Sequence, residues 1–507
     1  MSQLKKLAGQ TAIYGISSIL GKTINFLLLP IYTGYLAKEE LGSFTAIYGF
    51  IAFLNIIFTY GMETTYFRYA TGKGLDPQKV FAQIQSLLIT TSISMGAIIY
   101  FSAPAIASWL GYEGQEYLFR WMAWILAIDA VLALPYAKLR KENKALPFAL
   151  TKLGNILLNV GFNIFFIVFC FHIWNGDVLP SLKPIIDSIY NPNWGVEYIL
   201  LSNLLANALM IPVLMGLTGK FVFAMDKEIL QPMWHYAVPL LFMGLAGVTN
   251  EVFSRTLFEY VLPENFYEGL TQREAGGVFG ANFRLAILMN LIIQAFKYAA
   301  EPFFFNQSSE KNSPALFARV MHAFIIFCSI LMLSVSVNLD ILGNLFLRGE
   351  GYGDALYIVP VLLLGYLFLG IYFNLSIWFK LTDQTKYSFY ITTLGAVVTV
   401  VVILVFVPIL GYMGAALSTL LSYFLMAVVC YFYGQKYFPI PYKTGKDLFY
   451  LVLAFGLSYL GFYLHLELPI LQFIARNSLV IVFVLVVLWL EKDELQKFSN
   501  PLKKRKL

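Results

Sequence analysis

The sequence predicts an all-α polytopic membrane protein with about fourteen transmembrane helices. Three observations carry that prediction. The 507-residue chain is 59% hydrophobic and 13% charged, with a mean hydropathy of +0.70. Water-soluble domains carry about 25% charged residues, so a soluble fold is excluded. Apolar runs of roughly 20 residues, the length that crosses a bilayer core as a helix, recur along the whole chain. Lysine and arginine collect in alternate loops, as they do when one side of a membrane protein stays in the cytoplasm. The 17% aromatic content suits belts at the two membrane interfaces.

Taken in order, the candidate spans cover roughly residues 8–34, 41–68, 79–104, 115–137, 146–171, 197–218, 233–260, 276–302, 314–338, 355–379, 387–408, 412–433, 447–465 and 470–490. The first follows Lys5 and Lys6. It is longer than a signal-peptide core and carries no small-residue cleavage site, so it is kept as a span. The fourth and eighth carry the most polar residues. An even number of spans returns both termini to one side. Loops on that side, with the tail, hold 22 Lys and Arg, against Lys38, Lys183, Arg273 and Arg348 on the other. The termini are therefore expected in the cytoplasm. The net charge of +6 is then a topology signal and not a nucleic-acid footprint. The Lys503–Lys506 cluster is expected to be a solvated tail, with contact to anionic lipid as the alternative.

Several charges fall inside the apolar runs: Lys22, Glu63, Asp129, Lys152, Glu251, Arg255, Arg284 and Lys297. A charge in the bilayer core costs several kcal/mol, so it turns toward a partner or a water-filled cavity. A charged interior points to a transporter. On span 1, Gly15, Ser18, Lys22 and Asn25 share one helix face of about 80°. Gly244, Gly247, Glu251 and Ser254 repeat the spacing on span 7. On span 8, Asn290, Gln294, Lys297 and Glu301 fall within about 60°, with Arg284 roughly 120° away. Small and polar residues also pack helices together, so the Gly, Ser and Asn positions have a structural reading too. Lys22, near mid-membrane with no counter-ion on its own helix, is expected to face a cavity. Asp129 and Lys152 sit at similar depth in a helical hairpin and are expected to form a structural ion pair. Lys152 continues into an Asn155, Asn159, Asn163 stripe, expected to form a second wetted face. Glu251 and Arg255, four apart with the acid first, can neutralise each other. Glu251 and Glu63 are the candidates for coupling transport to an ion.

Other motifs carry no chemistry. Gly21-Lys22-Thr23 ends like a phosphate-binding loop, but Ile16 stands where that motif needs glycine, and the segment is a membrane helix. Transport is then expected to run on an ion gradient or the membrane potential. Cys170, Cys328 and Cys430 are far apart in apolar segments, and the four histidines are scattered, so no metal or cofactor is expected. Cations around a shielded cavity suit an anionic ligand such as phosphate. A transporter of cationic drugs would want unpaired carboxylates beside aromatics.

Short matches at similar offsets predict an internal repeat. Gly42, Phe44, Ala46, Tyr48 and Asn55 fall on Gly277, Phe279, Ala281, Phe283 and Asn290 at an offset of 235. Thr151 to Gly154 and Thr392 to Gly395 match at 241. The expected organisation is an N-terminal lobe (1–220), a C-terminal lobe (221–435) and two extra spans with the basic tail (436–507). Such repeats bind substrate between the halves.

Fourteen spans in that plan, with a basic residue in span 1, resemble the oligosaccharide (O-antigen-type) flippases and polysaccharide transporters of the multidrug/oligosaccharidyl-lipid/polysaccharide exporter superfamily. Leu28 to Tyr32 followed by Leu41-Gly42-Ser43-Phe44 is similar to that family's opening. Pro408 to Ala416 is similar to its link between spans 11 and 12. The resemblance implies two lobes in a V around a cationic lumen, and alternating access. Its substrate would be a glycan on polyprenyl diphosphate, moved from the inner to the outer leaflet. By position, Lys22, Arg255 and Arg284 would supply the lumen cations; the polar helix faces add Lys297 to them, with Ser18, Asn25, Asn250, Asn290 and Gln294 expected to line the lumen. Related lipid II flippases bind sodium through spans 7 and 11. Asn250 and Glu251 suit that role on span 7, but span 11 has no Asp, Glu or Asn. The partners implied are the lipid-linked glycan, membrane lipids, and the polymerase or glycosyltransferases of the pathway. The alternatives are a drug/cation antiporter of the same superfamily and a membrane enzyme of the same pathway. The longest outer loop, roughly His172 to Glu197, holds only Asp177, Lys183, Asp187 and Glu197 as charges, which argues against the enzyme.

Overall fold

A computed structural model describes residues 19–72, 75–219, 221–307, 313–382 and 384–492. They form helices and connecting loops, with no strand among the described residues. In lipid no water is available to backbone amides, so a helix, which bonds them internally, is the natural spanning element. Twelve helices among the described residues are long and apolar enough to cross a membrane: Lys38–Thr71, Pro77–Trp109, Glu116–Lys141, Ala145–Asn175, Val196–Thr218, Lys227–Thr256, Gln272–Lys297, Ser313–Val337, Tyr352–Leu381, Lys386–Leu410, Tyr412–Tyr437 and Pro469–Leu490. The protein is thus a multi-pass, all-helical membrane protein.

Two of the fourteen predicted spans stand outside that set. The first starts outside the described residues. It is helical over 19–26 and resumes as Leu29–Tyr35 with Pro30 in its first turn. The thirteenth is the 20-residue helix Thr444–Tyr463, which carries Lys446 and Asp447 near its start.

Several helices outrun the apolar runs that predict them. Asp76 and Asp226 cap spans 3 and 7 by accepting from the amides of Gln78 (3.1 Å) and Glu228 (3.0 Å). A side-chain oxygen there satisfies an amide that has no partner within the helix. Span 2 breaks after Thr59, where Tyr60 (φ 32°) and Gly61 (φ 73°) adopt left-handed backbone before the helix resumes at Met62. Glycine suits that conformation, and the absence of a Cβ also lets Gly61 lie against Ala237 and Leu240 of span 7.

The chain forms two compact units. One comprises residues 1–281, 349–352 and 392–418; the other comprises 282–348, 353–391 and 419–507. In the first, span 2 packs along span 7. Gly49 meets Thr256, Gly244 meets Ile56, and the rings of Phe53 and Phe253 stand 5.2 Å apart. Span 2 also crosses the start of span 8 through glycine. A Cβ on Gly42 would overlap the Arg273 carbonyl; one on Gly277 would overlap the Lys38 carbonyl and lie 3.0 Å from the Gly42 nitrogen. Thr45 and Gly280 touch in the same seam. Gly42 with Gly277 and Thr45 with Gly280 are counterparts at the 235-residue offset of the sequence matches, and the outer contacts cross over: Gly42 meets Arg273, the counterpart of Lys38, and Gly277 meets Lys38. Reciprocal contact of this kind is what a two-fold relation produces.

In the second unit, Gly365 lies against Thr419 and Leu420, and Gly461 against Val337 and Leu479. Phe304, Phe317, Ala318, Ile377 and Ile440 form a core between spans 8, 9 and 10 and the segment after span 12.

The seam sets a quantitative expectation. Gly277→Ala should lower thermal stability by about 1–3 kcal/mol, the usual range for overpacking. Gly456→Ala, on span 13 with open space where its Cβ would sit, should be neutral or stabilising. Unfolding temperatures of the two purified variants, compared with the parent, check this.

Candidate functional site

The first unit holds a network of polar side chains on the inward faces of spans 2, 4, 5 and 6. Asn207 is its hub. Its amide nitrogen donates to the carboxylate of Asp129 (2.6 Å) and to Asn203 (2.8 Å). Its oxygen accepts from Asn155 (2.8 Å). Asn203 in turn donates to the hydroxyl of Tyr48 (3.3 Å). The stripe expected to be a second wetted face continues above. Asn163 donates to Asn159 and accepts from Tyr32 of span 1 (3.0 Å). The spacing of four places Asn155, Asn159 and Asn163 on one face, and the described residues tie that face into the unit's interior.

Asp129 and Lys152 come together without direct contact. Their charges interact, but Asn207 holds the carboxylate, and the Lys152 ammonium lies 4.0 Å over the Tyr136 ring. The relation is a relayed pair and not the direct one expected from hairpin depth. Glu63 does pair directly, with Arg140 of span 4. The Arg140 guanidinium lies 5.2 Å over Phe67 and 5.8 Å over Phe148. A carboxylate held in this way anchors span 2 to span 4.

Lys22 differs from these. It is exposed on the described part of span 1, beside exposed Asn25, and makes no ion pair among the described residues. Gly21, its neighbour, lies against Ile156 of span 5, which sets the face that Lys22 presents. Ser18 lies outside the described residues.

On span 7, Asn250 is buried. Its nitrogen donates to the Thr392 carbonyl (3.0 Å) and its oxygen accepts from Thr399 (3.2 Å), both on span 11. The amide suggested for an ion is thus engaged with span 11, which answers with a carbonyl and a hydroxyl in place of a carboxylate. Glu251 is exposed, and Arg255 is half-buried. In the second unit, Asn290 is buried and accepts from Gln294 (3.4 Å), while Arg284 is half-buried. The Lys297 ammonium lies 4.3 Å over the Phe373 ring. With Lys380, Ser376 and Phe304 it lines a cavity of about 20 Å³. The spacing of Lys297 did not reveal Lys380 as its neighbour, because that lysine reads from sequence as a loop charge.

One cluster was not legible in the hydropathy pattern. Arg273, counted in the sequence only as a loop charge, closes a clamp at the end of the first unit expected to be external. Its guanidinium lies 3.9 Å over the Tyr112 ring and donates to the Gly111 carbonyl (2.8 Å). It also approaches Glu259 (3.9 Å) and Glu39 (3.6 Å). The Tyr112 hydroxyl donates to Glu259 (3.2 Å). Burial, with Glu259 alongside, pushes the Tyr112 hydroxyl well above its usual range, so it stays a donor. The clamp joins the loops between spans 1–2, 3–4 and 7–8, above the glycine seam. The repeat held a signal for it, since Arg273 is the counterpart of Lys38.

Among known proteins, the family model described as polysaccharide biosynthesis protein matches residues 34–175. Comparison with curated protein sequences gives no match. The structure superposes on the lipid II flippase MurJ in an inward closed conformation with a TM-score of 0.72 at 14% identity, covering 96% of this chain and 100% of that one. The chain has the fold of that flippase. The same fold relates it to multidrug resistance MATE transporters of the MOP superfamily. The inward-facing form of one gives a TM-score of 0.60 at 16% identity over 82% of this chain and 94% of that one. An outward-facing form gives 0.57 at 16% over 85% and 95%. The family match and the fold bear out the resemblance read from the sequence motifs.

The hub makes its own prediction. Asn207→Leu leaves the Asp129 carboxylate without its hydrogen bond, which should cost about 1–3 kcal/mol. A lower unfolding temperature and less monodisperse protein on size exclusion would be the readout. Unchanged stability would mean that Asn207 is not the hub.

Proposed function

We propose that the protein is a flippase. It carries an oligosaccharide linked to polyprenyl diphosphate from the inner to the outer leaflet of a bacterial plasma membrane, with both termini in the cytoplasm. Lys22 carries this reading: an exposed ammonium on span 1, with no ion pair among the described residues. A group so costly in lipid is retained for a ligand of opposite charge. Diphosphate is such a ligand, and lysine serves it as a point charge. The polysaccharide-family match over residues 34–175 and the flippase fold support a glycan-lipid substrate.

The residues proposed to receive the diphosphate are Lys22, Arg255, Arg284 and Lys297, and Asn25, Asn290 and Gln294 are proposed to hydrate it. The six-plus-six-plus-two division at residues 220 and 435 is proposed as the two lobes and the extra hairpin. The Arg273 clamp and the Gly42–Gly277 seam support an access cycle in which the outer ends close and the inner side loads. A bound ligand shifts such a cycle only through its different affinity for the two states. Glu251, exposed on span 7, is the proposed coupling carboxylate. Glu63, engaged by Arg140, is proposed to anchor helices. The protein works on a non-covalent cycle and is not an enzyme. Its proposed partners are the glycan-lipid, surrounding lipids and the enzymes that build and polymerise the glycan.

The MATE likeness keeps a drug/cation antiporter as the second reading. The two separate on charge. Lys22→Ala should lower glycan export by about tenfold to a hundredfold, the equivalent of one charge-assisted contact, with normal protein level. Export that persists in this variant, with drug efflux from the same cells, would favour the antiporter.

The clamp gives a second test. Arg273→Gln should favour the outward-open state. In a protein whose native cysteines are replaced, a cysteine at buried Ala46 should then label several-fold faster with a membrane-impermeant thiol reagent added outside. Labelling equal to that of the parent would remove the clamp from the cycle.

A further inference from the structure

The second unit carries a cavity that the transport reading does not use. It holds about 440 Å³ and is lined by Val337, Asn338, Asp340, Ile341, Ile470 and Phe473, among others. It sits where span 9 ends and span 14 begins. Both loops are on the side expected to be external. Its apolar walls are open: Ile341 is 52% exposed, Ile470 75% and Phe473 49%. Span 14 buries little of its surface in the unit, so these walls continue its lipid-facing side.

Into this apolar setting projects one carboxylate. Arg476 is 4% exposed and spends its nitrogens on fixed partners. It donates to the carbonyls of Leu464 (3.0 Å) and Phe462 (3.2 Å), and to Oδ2 of Asp340. Gln472 donates to the same Oδ2 (3.3 Å). Oδ1 of Asp340 accepts no hydrogen bond among the described residues, and the side chain is 42% exposed. Asn338 and Asn477 donate to each other (3.0 and 3.1 Å), which closes the polar floor. The floor therefore offers one rigidly held, open acceptor, and the walls offer hydrocarbon contact.

We propose that this cavity binds one phospholipid of the outer leaflet through a primary ammonium headgroup, as in phosphatidylethanolamine. The ammonium donates to Oδ1 of Asp340, and an acyl chain lies along Ile341, Ile470 and Phe473. A fixed anionic acceptor in a low-dielectric wall favours a donor of opposite charge. A quaternary choline headgroup carries the charge but has no N–H, so the site discriminates by hydrogen bonding. A lipid seated there ties span 9 to span 14 on the outer side.

The test uses the full-length protein, purified and delipidated in detergent, then incubated with an equimolar mixture of phosphatidylethanolamine and phosphatidylcholine of the same chains. Native mass spectrometry reads the lipid retained. One phosphatidylethanolamine per protein should survive activation at about tenfold excess over phosphatidylcholine, the ratio expected for one charge-assisted hydrogen bond. Monomethyl and dimethyl derivatives should fall between. Ile341→Trp, which fills the cavity and leaves the Asp340–Arg476 pair intact, should abolish the preference. Asp340→Asn should abolish it too, but it also disturbs Arg476, so the tryptophan variant and the methylation series decide. Equal retention of the two lipids would mean ordinary annular lipid and overturn the proposal. So would a preference that survives Ile341→Trp.

Discussion

A polar group inside a bilayer core has no water to fall back on, and this single constraint organises the described chain. It forces the backbone into helices and draws the inward amides and charges onto partners. Asn207 and Asn250 each satisfy both amide ends through neighbouring helices, and Asn163 accepts from Tyr32 of span 1 while donating to Asn159 on its own helix. Glu63 finds Arg140, and buried His322 sits between Asp447 (2.5 Å) and Glu491 (3.2 Å), which joins span 9 to both ends of the C-terminal hairpin. Against that background Lys22 stands apart, exposed and with no ion pair among the described residues.

The same constraint explains the reliance on glycine. Helices in lipid gain little from burying apolar surface against each other, so close backbone approach must supply the attraction. Gly42, Gly49, Gly244 and Gly277 give span 2 that approach to spans 7 and 8. The packing is tight at the end where the Arg273 clamp sits, and the clamp adds charged contacts on the same elements. A seam in which glycine supplies one side of each close approach has few side chains to interlock, and a few ion pairs can hold it shut. That combination suits an element with two arrangements.

The polar side chains sort into two kinds by how they are held. Asp129, Lys152, Glu63 and Asn250 are bound by fixed neighbours and stabilise the fold. Lys22, Asn25 and Glu251 stay exposed on their helices. Membership of an apolar run marks both kinds equally. Only contact distinguishes a charge that holds helices together from one that faces a ligand.

The sequence by itself determined the class and most of the spans, because hydropathy and basic-residue bias report how each segment meets the membrane, and that is a local property. It also holds the match of Gly42 with Gly277 at an offset of 235. What that match meant was decided by the tertiary structure: the repeated glycines touch each other. The relay through Asn207, the engagement of Glu63 by Arg140, the clamp around Arg273 and the cavity beside Asp340 were equally out of reach. Each joins residues dozens to hundreds of positions apart. Periodicity assigns a residue to a helix face, but which face meets which depends on how all the helices pack at once.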